Sequence, residues 1–277
     1  MRSVTLVVAV ATTLVACTAA GEPSPSPAPA ASFTLRAWTT QALPPAASLA
    51  GGPLIAIADG LAVTAGAVPA IYPGPLVAPL VARTVADEGI ARILADMQAA
   101  GLLGERTDFT DRMLVGAPLG HILVSLDGAS REITGDPSGL SGCVPPACVP
   151  PPGTPEAFAA LWTRFYDLGA WLGSALGPEQ RFVADRAAIL VTEPTVDPDF
   201  AGQVVEWPLA KAFADTGVAF PGMAGARCVV VEREELDTLR PALEGANQLT
   251  RFRDRTGGER GLVARWLMPD EPDPCGP

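Results

Sequence analysis

Ile122-Leu123-Val124-Ser125-Leu126-Asp127-Gly128-Ala129-Ser130-Arg131-Glu132-Ile133-Thr134 alternates apolar and polar residues on both sides of Asp127-Gly128. A two-residue Asp-Gly connection favours a tight turn whose twist matches that of paired strands, because both central residues tolerate positive φ. Val115 to Thr134 is therefore predicted as a hairpin pairing Leu126 with Ala129, Val124 with Arg131 and Ile122 with Ile133. One face is then apolar apart from Arg131. The other carries His121, Leu123, Ser125, Ser130, Glu132 and Thr134 and faces water. Leu54 to Ala58 and Leu61 to Thr64 repeat the pattern around Asp59-Gly60.

Further strands are predicted at Phe33 to Trp38, Ala187 to Thr192, Arg227 to Val231 and Gly261 to Leu267. Val68 to Pro79 is punctuated by prolines, so at most Ala70 to Tyr72 pairs, at an edge. A helix is expected from Val85 to Gly101, with a capping-box-like start at Thr84 and Asp87 and an apolar stripe of Ile90, Ile93, Leu94 and Met97. Thr154-Pro155-Glu156 opens a second helix, Thr as cap and Pro at the first position. Its stripe of Phe158, Leu161, Trp162, Phe165, Leu168 and Leu172 is the strongest amphipathic signal in the chain. Arg233 to Gln248 is a third helix, with a kink or break expected at Pro241. Residues 193–226 read mostly as loop. The class is α+β, a mostly antiparallel sheet with helices packed on one face. Helix, polar loop and strand recur from Val85–Gly101 to Gly120–Leu126 and from Arg233–Gln248 to Gly261–Leu267, so the chain reads as two similar halves.

The amino-terminal end is organised differently. Met1-Arg2-Ser3 precedes an apolar stretch from Val4 to Ala16, too short to span a bilayer core comfortably and suited to a signal peptide. It ends in Leu14-Val15-Ala16-Cys17, which resembles the lipobox of bacterial lipoprotein precursors. That resemblance implies cleavage before Cys17 and lipidation of its thiol. Thr18 to Ser32 is dominated by Ala, Pro and Ser, a polyproline-prone tether. The predicted organisation is signal peptide 1–16, lipidated Cys and tether 17–32, an N-terminal subdomain 33–140, a linker 141–153 and a C-terminal subdomain 154–277.

Cys143, Cys148, Cys228 and Cys275 remain, an even set suited to an oxidising compartment. Of three possible pairings, Cys143–Cys148 and Cys228–Cys275 are favoured. The first closes a small loop stiffened by two prolines; the second ties a predicted strand to the acidic, Pro-rich end of the chain.

The 277 residues carry 19 basic and 30 acidic side chains, a formal net charge of −11. That charge repels phosphate backbones, so nucleic acid is not an expected partner. The catalytic repertoire is thin: His121 is the only His and Lys211 the only Lys. No Gly-x-Ser-x-Gly, P-loop or dinucleotide fingerprint occurs, and neither a zinc-ligand set nor a calcium loop is present. No metal or cofactor is expected. Asp197-Pro198-Asp199 reads as a solvated turn, and Lys211 as a surface amine. Asp111, Asp136 and Glu206 are nominal carboxylates for a glycosidase-type pair. Trp207, in a loop between Glu206 and Pro208, is the preferred exposed aromatic contact.

Pro69-Ala70-Ile71-Tyr72-Pro73-Gly74-Pro75, Asp87-Glu88-Gly89-Ile90, Ala99-Ala100-Gly101-Leu102-Leu103, Gly225-Ala226-Arg227-Cys228 and Ala246-Asn247-Gln248-Leu249-Thr250 resemble stretches of uncharacterised lipoproteins from high-GC bacteria. The resemblance covers most of residues 33–277 and implies location but no activity. The chain is expected to be a non-catalytic binding module held by lipid on Cys17 to the outer face of the cytoplasmic membrane, or elsewhere in the periplasm or at the cell surface, with an envelope protein as partner. The alternatives are an envelope hydrolase using paired carboxylates and a solute-binding lipoprotein.

Overall fold

Two sheets are laid down one after the other along the chain. The computed structural model describes residues 32–40, 45–111, 117–138, 149–200 and 202–276, one compact unit from Ser32 onward. Strands β1 (Phe33–Thr40), β2 (Pro53–Ala58), β3 (Leu61–Ala65), β4 (Leu80–Thr84), β5 (Asp108–Phe109), β6 (Leu119–Leu126), β7 (Ala129–Gly135) and β8 (Gln180–Phe182) form an eight-stranded sheet ordered β5-β7-β6-β1-β2-β3-β4-β8. Strands β9 (Arg186–Thr192), β10 (Val204–Glu206), β11 (Val218–Ala219), β12 (Arg227–Glu232), β13 (Arg251–Arg253) and β14 (Glu259–Trp266) form a six-stranded one, β10-β13-β14-β9-β12-β11. The helices are α1 (Pro45–Ala50), α2 (Asp87–Ala99), α3 (Pro155–Arg164), α4 (Leu168–Leu172) and α5 (Arg233–Glu244). Pairing is antiparallel except at the outer pairs β5–β7 and β10–β13, so the α+β reading stands.

Both Asp-Gly hairpins form, and the one around Asp127-Gly128 has the predicted register. Leu126 faces Ala129, Val124 faces Arg131 and Ile122 faces Ile133; Ala58 faces Leu61 across the other turn. Asp59, Gly60, Asp127 and Gly128 all have positive φ, as the tight turn requires. The prolines of 66–79 leave no strand there among named elements, only an isolated bridge from Pro75 to Asn247.

On the first sheet, Leu35, Ala37, Ile55, Ile57, Ile122 and Ile133 face α2, α3 and α4 in one core. All six residues of the predicted stripe from Phe158 to Leu172 are buried in it, although the helix breaks into α3 and α4 between Phe165 and Asp167. Thr154 caps α3 as predicted, its hydroxyl accepting from Ala157 N, with Pro155 in the first turn. Close approach is made possible by a directly paired Gly120 and Gly135. A Cβ on Gly135 would sit 2.5 Å from the Phe158 ring, and one on Gly120 3.0 Å from Trp162. The Thr84 cap does not form, because Thr84 is taken up in β4 opposite Leu61; Ala86 precedes α2 without a side-chain cap.

The reverse side of β2–β4 (Ala56, Val63, Leu80, Ala82) joins a second core with β9, β14 and Leu236, Leu239 and Leu243 of α5. That helix is not broken at Pro241, which lies in its last turn. The opposite face of β9 (Ala188, Leu190) packs with Leu49 of α1, Leu267 and the Cys228–Cys275 disulfide. β9, at the centre of the second sheet, is thus covered on both faces, whereas the helices of the first sheet lie on one. The linker placed at 141–153 has only its last residues described. The helices after it, α3 and α4, pack on the first sheet rather than with the C-terminal half, and the chain passes to the second sheet between β8 and β9.

The two halves share part of a path. In each, the central strand (β1 or β9) pairs on one side with a strand that precedes the helix (β2 before α2, β12 before α5) and on the other with a hairpin strand that follows it (β6 or β14). The first half adds β3 and β4 between β2 and its helix, whereas the second places β10 and β11 before β12, with β10 at the opposite edge of the sheet.

Candidate functional site

The water-facing side of β1, β6 and β7 gathers the chain's only imidazole. Residues two apart on a strand share a face, and the register sets Trp38 directly opposite His121. The two rings stack at 5.0 Å with an interplanar angle of 9°. His121 Nε2 is 2.8 Å from Thr40 Oγ1, and Nδ1 is 2.9 Å from Glu132 Oε1. Hydroxyl, imidazole and carboxylate are thus linked in the order used by nucleophile relays. Here the hydroxyl belongs to a strand residue paired with Leu119, and the contacts hold the imidazole from three sides.

Arg36 lies over the Trp38 ring, 4.9 Å from its centroid. Its Nη1 donates to Asp270 O at 2.9 Å, and no carboxylate among the described residues forms an ion pair with it. Burial pushes the guanidinium below its ordinary pKa, while Glu271, Glu132 and Asp270 act in the opposite direction at longer range.

A second surface lies at the junction of the two sheets. Between Gly60 and Arg83 there is no charged residue, and Ala67 to Tyr72 are exposed without interruption. Ile71 is 65% exposed, Tyr72 54%, Val196 82% and Phe200 44%. Tyr72 meets Phe200 edge-on at 5.2 Å and donates its hydroxyl to Asp197 Oδ2 at 2.8 Å. These contacts join loops 66–79 and 193–200 into one apolar ridge. Hydrogen bonds from Asp199 N and Tyr72 hold Asp197 below the ordinary carboxylate range, and the same bond raises Tyr72. Val68 and Thr195 also line a cavity of about 520 Å³ walled by Leu76, Leu80, Leu262, Trp266 and Met268.

The other candidate residues fall as follows. Trp207, expected as an exposed contact, is buried. It follows β10, which pairs in parallel with β13; its indole donates to Lys211 O and packs against Phe213 and Phe252. Lys211 is a surface amine paired with Glu235 at 3.2 Å. Glu206 lies on the outermost strand of the second sheet near Arg253, whereas Asp136 is buried beside the first and accepts from Ser138. Asp111 follows β5. Asp136 and Glu206 therefore belong to different sheets, and the nominal pair does not form between them. Asp197 closes a turn by accepting from Asp199 N. No cluster suited to a metal ion occurs among the described residues. Of the cysteines, Cys228 and Cys275 are bonded as predicted. Cys17, Cys143 and Cys148 lie outside the described residues.

The architecture is that of a two-sheet α+β body with an apolar ridge at the sheet junction and a polar, aromatic face on the first sheet. Compared with protein families, curated proteins and solved structures, the chain has no match.

Proposed function

We propose that this chain is a non-catalytic binding module of the bacterial cell envelope, anchored by lipid on Cys17 and docking a protein partner on the ridge of Ile71, Tyr72, Val196 and Phe200. The observation that carries the reading is the ridge itself. Exposed apolar side chains scattered singly need no explanation, but here they are concentrated on two loops that touch each other. A loop of this length between strands is seldom without a role. The adjoining cavity gives an apolar anchor residue of the partner somewhere to enter. Asp197 and Asp199, together with exposed Glu193, place carboxylates along one loop of the ridge. They favour a protein partner with a basic rim over insertion into anionic lipid. The lipobox-like end, the tether and the resemblance to envelope lipoproteins support the location.

The test is co-purification of the lipidated chain from detergent-solubilised native membranes, beside Ile71→Asp and Tyr72→Ala. A stoichiometric partner that is lost from Ile71→Asp, weakened in Tyr72→Ala and released by salt supports the reading. Equal capture by all three chains overturns it, as does ridge-dependent binding of the Cys17→Ser chain to protein-free vesicles. Cys17→Ser is itself expected to leave the membrane fraction, and retention there removes the anchor.

A further inference from the structure

We propose that the groove between β1 and the segment 270–274 is a second binding site, one that takes the carboxylate of a small apolar acid or of a peptide end, with Arg36 as its cation. The groove encloses about 240 Å³ and is lined by Arg36, Trp38, Thr40, Pro53, Pro272 and Pro274, among others. It shares Gly51, Gly52, Pro53 and Arg265 with the cavity beside the ridge, but of the two only the groove is lined by Arg36 and Trp38, and the inference does not depend on the partner proposed at the ridge.

A guanidinium has five N–H donors in a fixed fork. Arg36 commits one nitrogen to a carbonyl, Asp270 O, and forms no ion pair with any carboxylate among the described residues, in a chain with a large excess of carboxylates. Two of the three acids around it are engaged elsewhere. Glu271 accepts from Arg265 and from Met268 N, and Glu132 is bound to His121. The remaining donors suit a carboxylate taken in bidentate fashion. Those same neighbouring acids disfavour a dianionic phosphate more than a singly charged carboxylate, since repulsion scales with charge. Trp38, Pro272 and Pro274 supply apolar walls for the rest of the ligand. Trp38 is itself held in place by its stack on His121, and His121 by Thr40 and Glu132, so the wall is set before a ligand arrives.

The far wall is also fixed. Arg265 pairs with Glu271, both largely buried, and Arg186 donates to Glu271 O. Cys275 is tied to Cys228 in β12. Binding should therefore weaken when the disulfide is removed.

The experiment follows the indole N–H resonances of the full chain, with Trp38 assigned by Trp38→Phe, during titration with three probes. These are phenylacetate, an Ala-Leu tetrapeptide with a free carboxylate, and the same tetrapeptide amidated. Saturable shifts at Trp38 with either acid but not with the amide are expected. Arg36→Gln should weaken that binding about tenfold or more, while Arg255→Gln leaves it unchanged. Tighter binding of phenylacetate points to a free acid, and tighter binding of the tetrapeptide to a peptide end. The proposal is overturned if amide and acid bind equally, if Arg36→Gln binds as wild type while far-ultraviolet dichroism shows it folded, or if neither acid shifts Trp38 at about 10 mM.

Discussion

The first sheet shows one of its faces to water along β1, β6 and β7; the second is covered on both faces along its central strand β9, while its edge strands β10 and β11 are exposed. β9 is the extreme case, with Ala187, Ala188, Ile189, Leu190 and Val191 all at 2% exposure or less. α5 covers one side of it, and α1 with the disulfide-tied end covers the other. β1 alternates instead, burying Phe33, Leu35 and Ala37 while Arg36 and Trp38 take part in the opposite face. Both halves set a helix-preceding strand and a helix-following hairpin strand on either side of a central strand, so the difference lies chiefly in what covers that strand. The covered sheet concentrates stability. The half-open one carries the chain's imidazole and, beside it, the Arg36 guanidinium, which pairs with no carboxylate among the described residues.

The largest effect should come from the covered sheet. Replacing Cys228 and Cys275 together by Ser removes a cross-link between residues 47 apart in sequence. Loop-closure entropy puts the loss at about 4 kcal/mol. Measured by denaturant unfolding, this change should lower the midpoint without abolishing the fold, because the two larger cores do not contain the disulfide. A loss below about 1 kcal/mol would mean that Arg265 and Glu271 hold the end of the chain unaided, and the two sheets would then differ less than their coverage implies.

The comparison also shows what local sequence reveals. Both Asp-Gly turns, the register around Asp127-Gly128 and the Thr154-Pro155 start of α3 were legible because the causes act within a few residues. The Thr84 cap failed because a strand pairing with Leu61 claimed that residue first. Trp207 was misread for a similar reason. Its burial depends on β13, more than forty residues away, approaching in parallel, and no local pattern announces that. Gly120 and Gly135 gave no signal either, since their purpose is visible only when Phe158 and Trp162 lie upon them. On the functional side, the hairpin pattern placed His121 on the water-facing side, but its neighbours Trp38 and Thr40 come from a strand some eighty residues earlier. The ridge was hidden by its prolines. They ruled out a strand correctly, and nothing in the pattern distinguished an exposed apolar loop from a covered one.

A smaller effect distinguishes the halves by pH. Asp254 is buried beside β13 in the second sheet and accepts from Phe213 N, Thr256 N, Thr256 Oγ1 and Gly258 N. The Thr256 hydroxyl and the Phe213 amide, foremost among these donors, hold its pKa below the ordinary carboxylate range. A group depressed on folding stabilises fully above its unfolded pKa of about 3.9 and loses that contribution as pH falls through the folded value. Asp254→Asn should therefore cost about 1–3 kcal/mol at neutral pH. The gap to wild type should narrow as the solution is taken below about pH 4. A gap that stays constant down to pH 2 would assign the loss to packing rather than to the charge.

The smallest effect is expected on the open face. His121→Gln keeps a side chain able to bond Thr40 or Glu132 but removes the ring on which Trp38 stacks. Because Glu132 is half exposed and the strands are already paired through the backbone, stability should change by no more than about 0.5 kcal/mol. Binding should change more. Without the stack the Trp38 indole gains freedom, and a ligand must then order it, so acid titrations followed at Trp38 should weaken several-fold. Equal losses in stability and binding would make His121 a part of the framework like any residue of β9. A loss confined to binding keeps the two sheets distinct, one built to hold the chain together and the other to present what it carries.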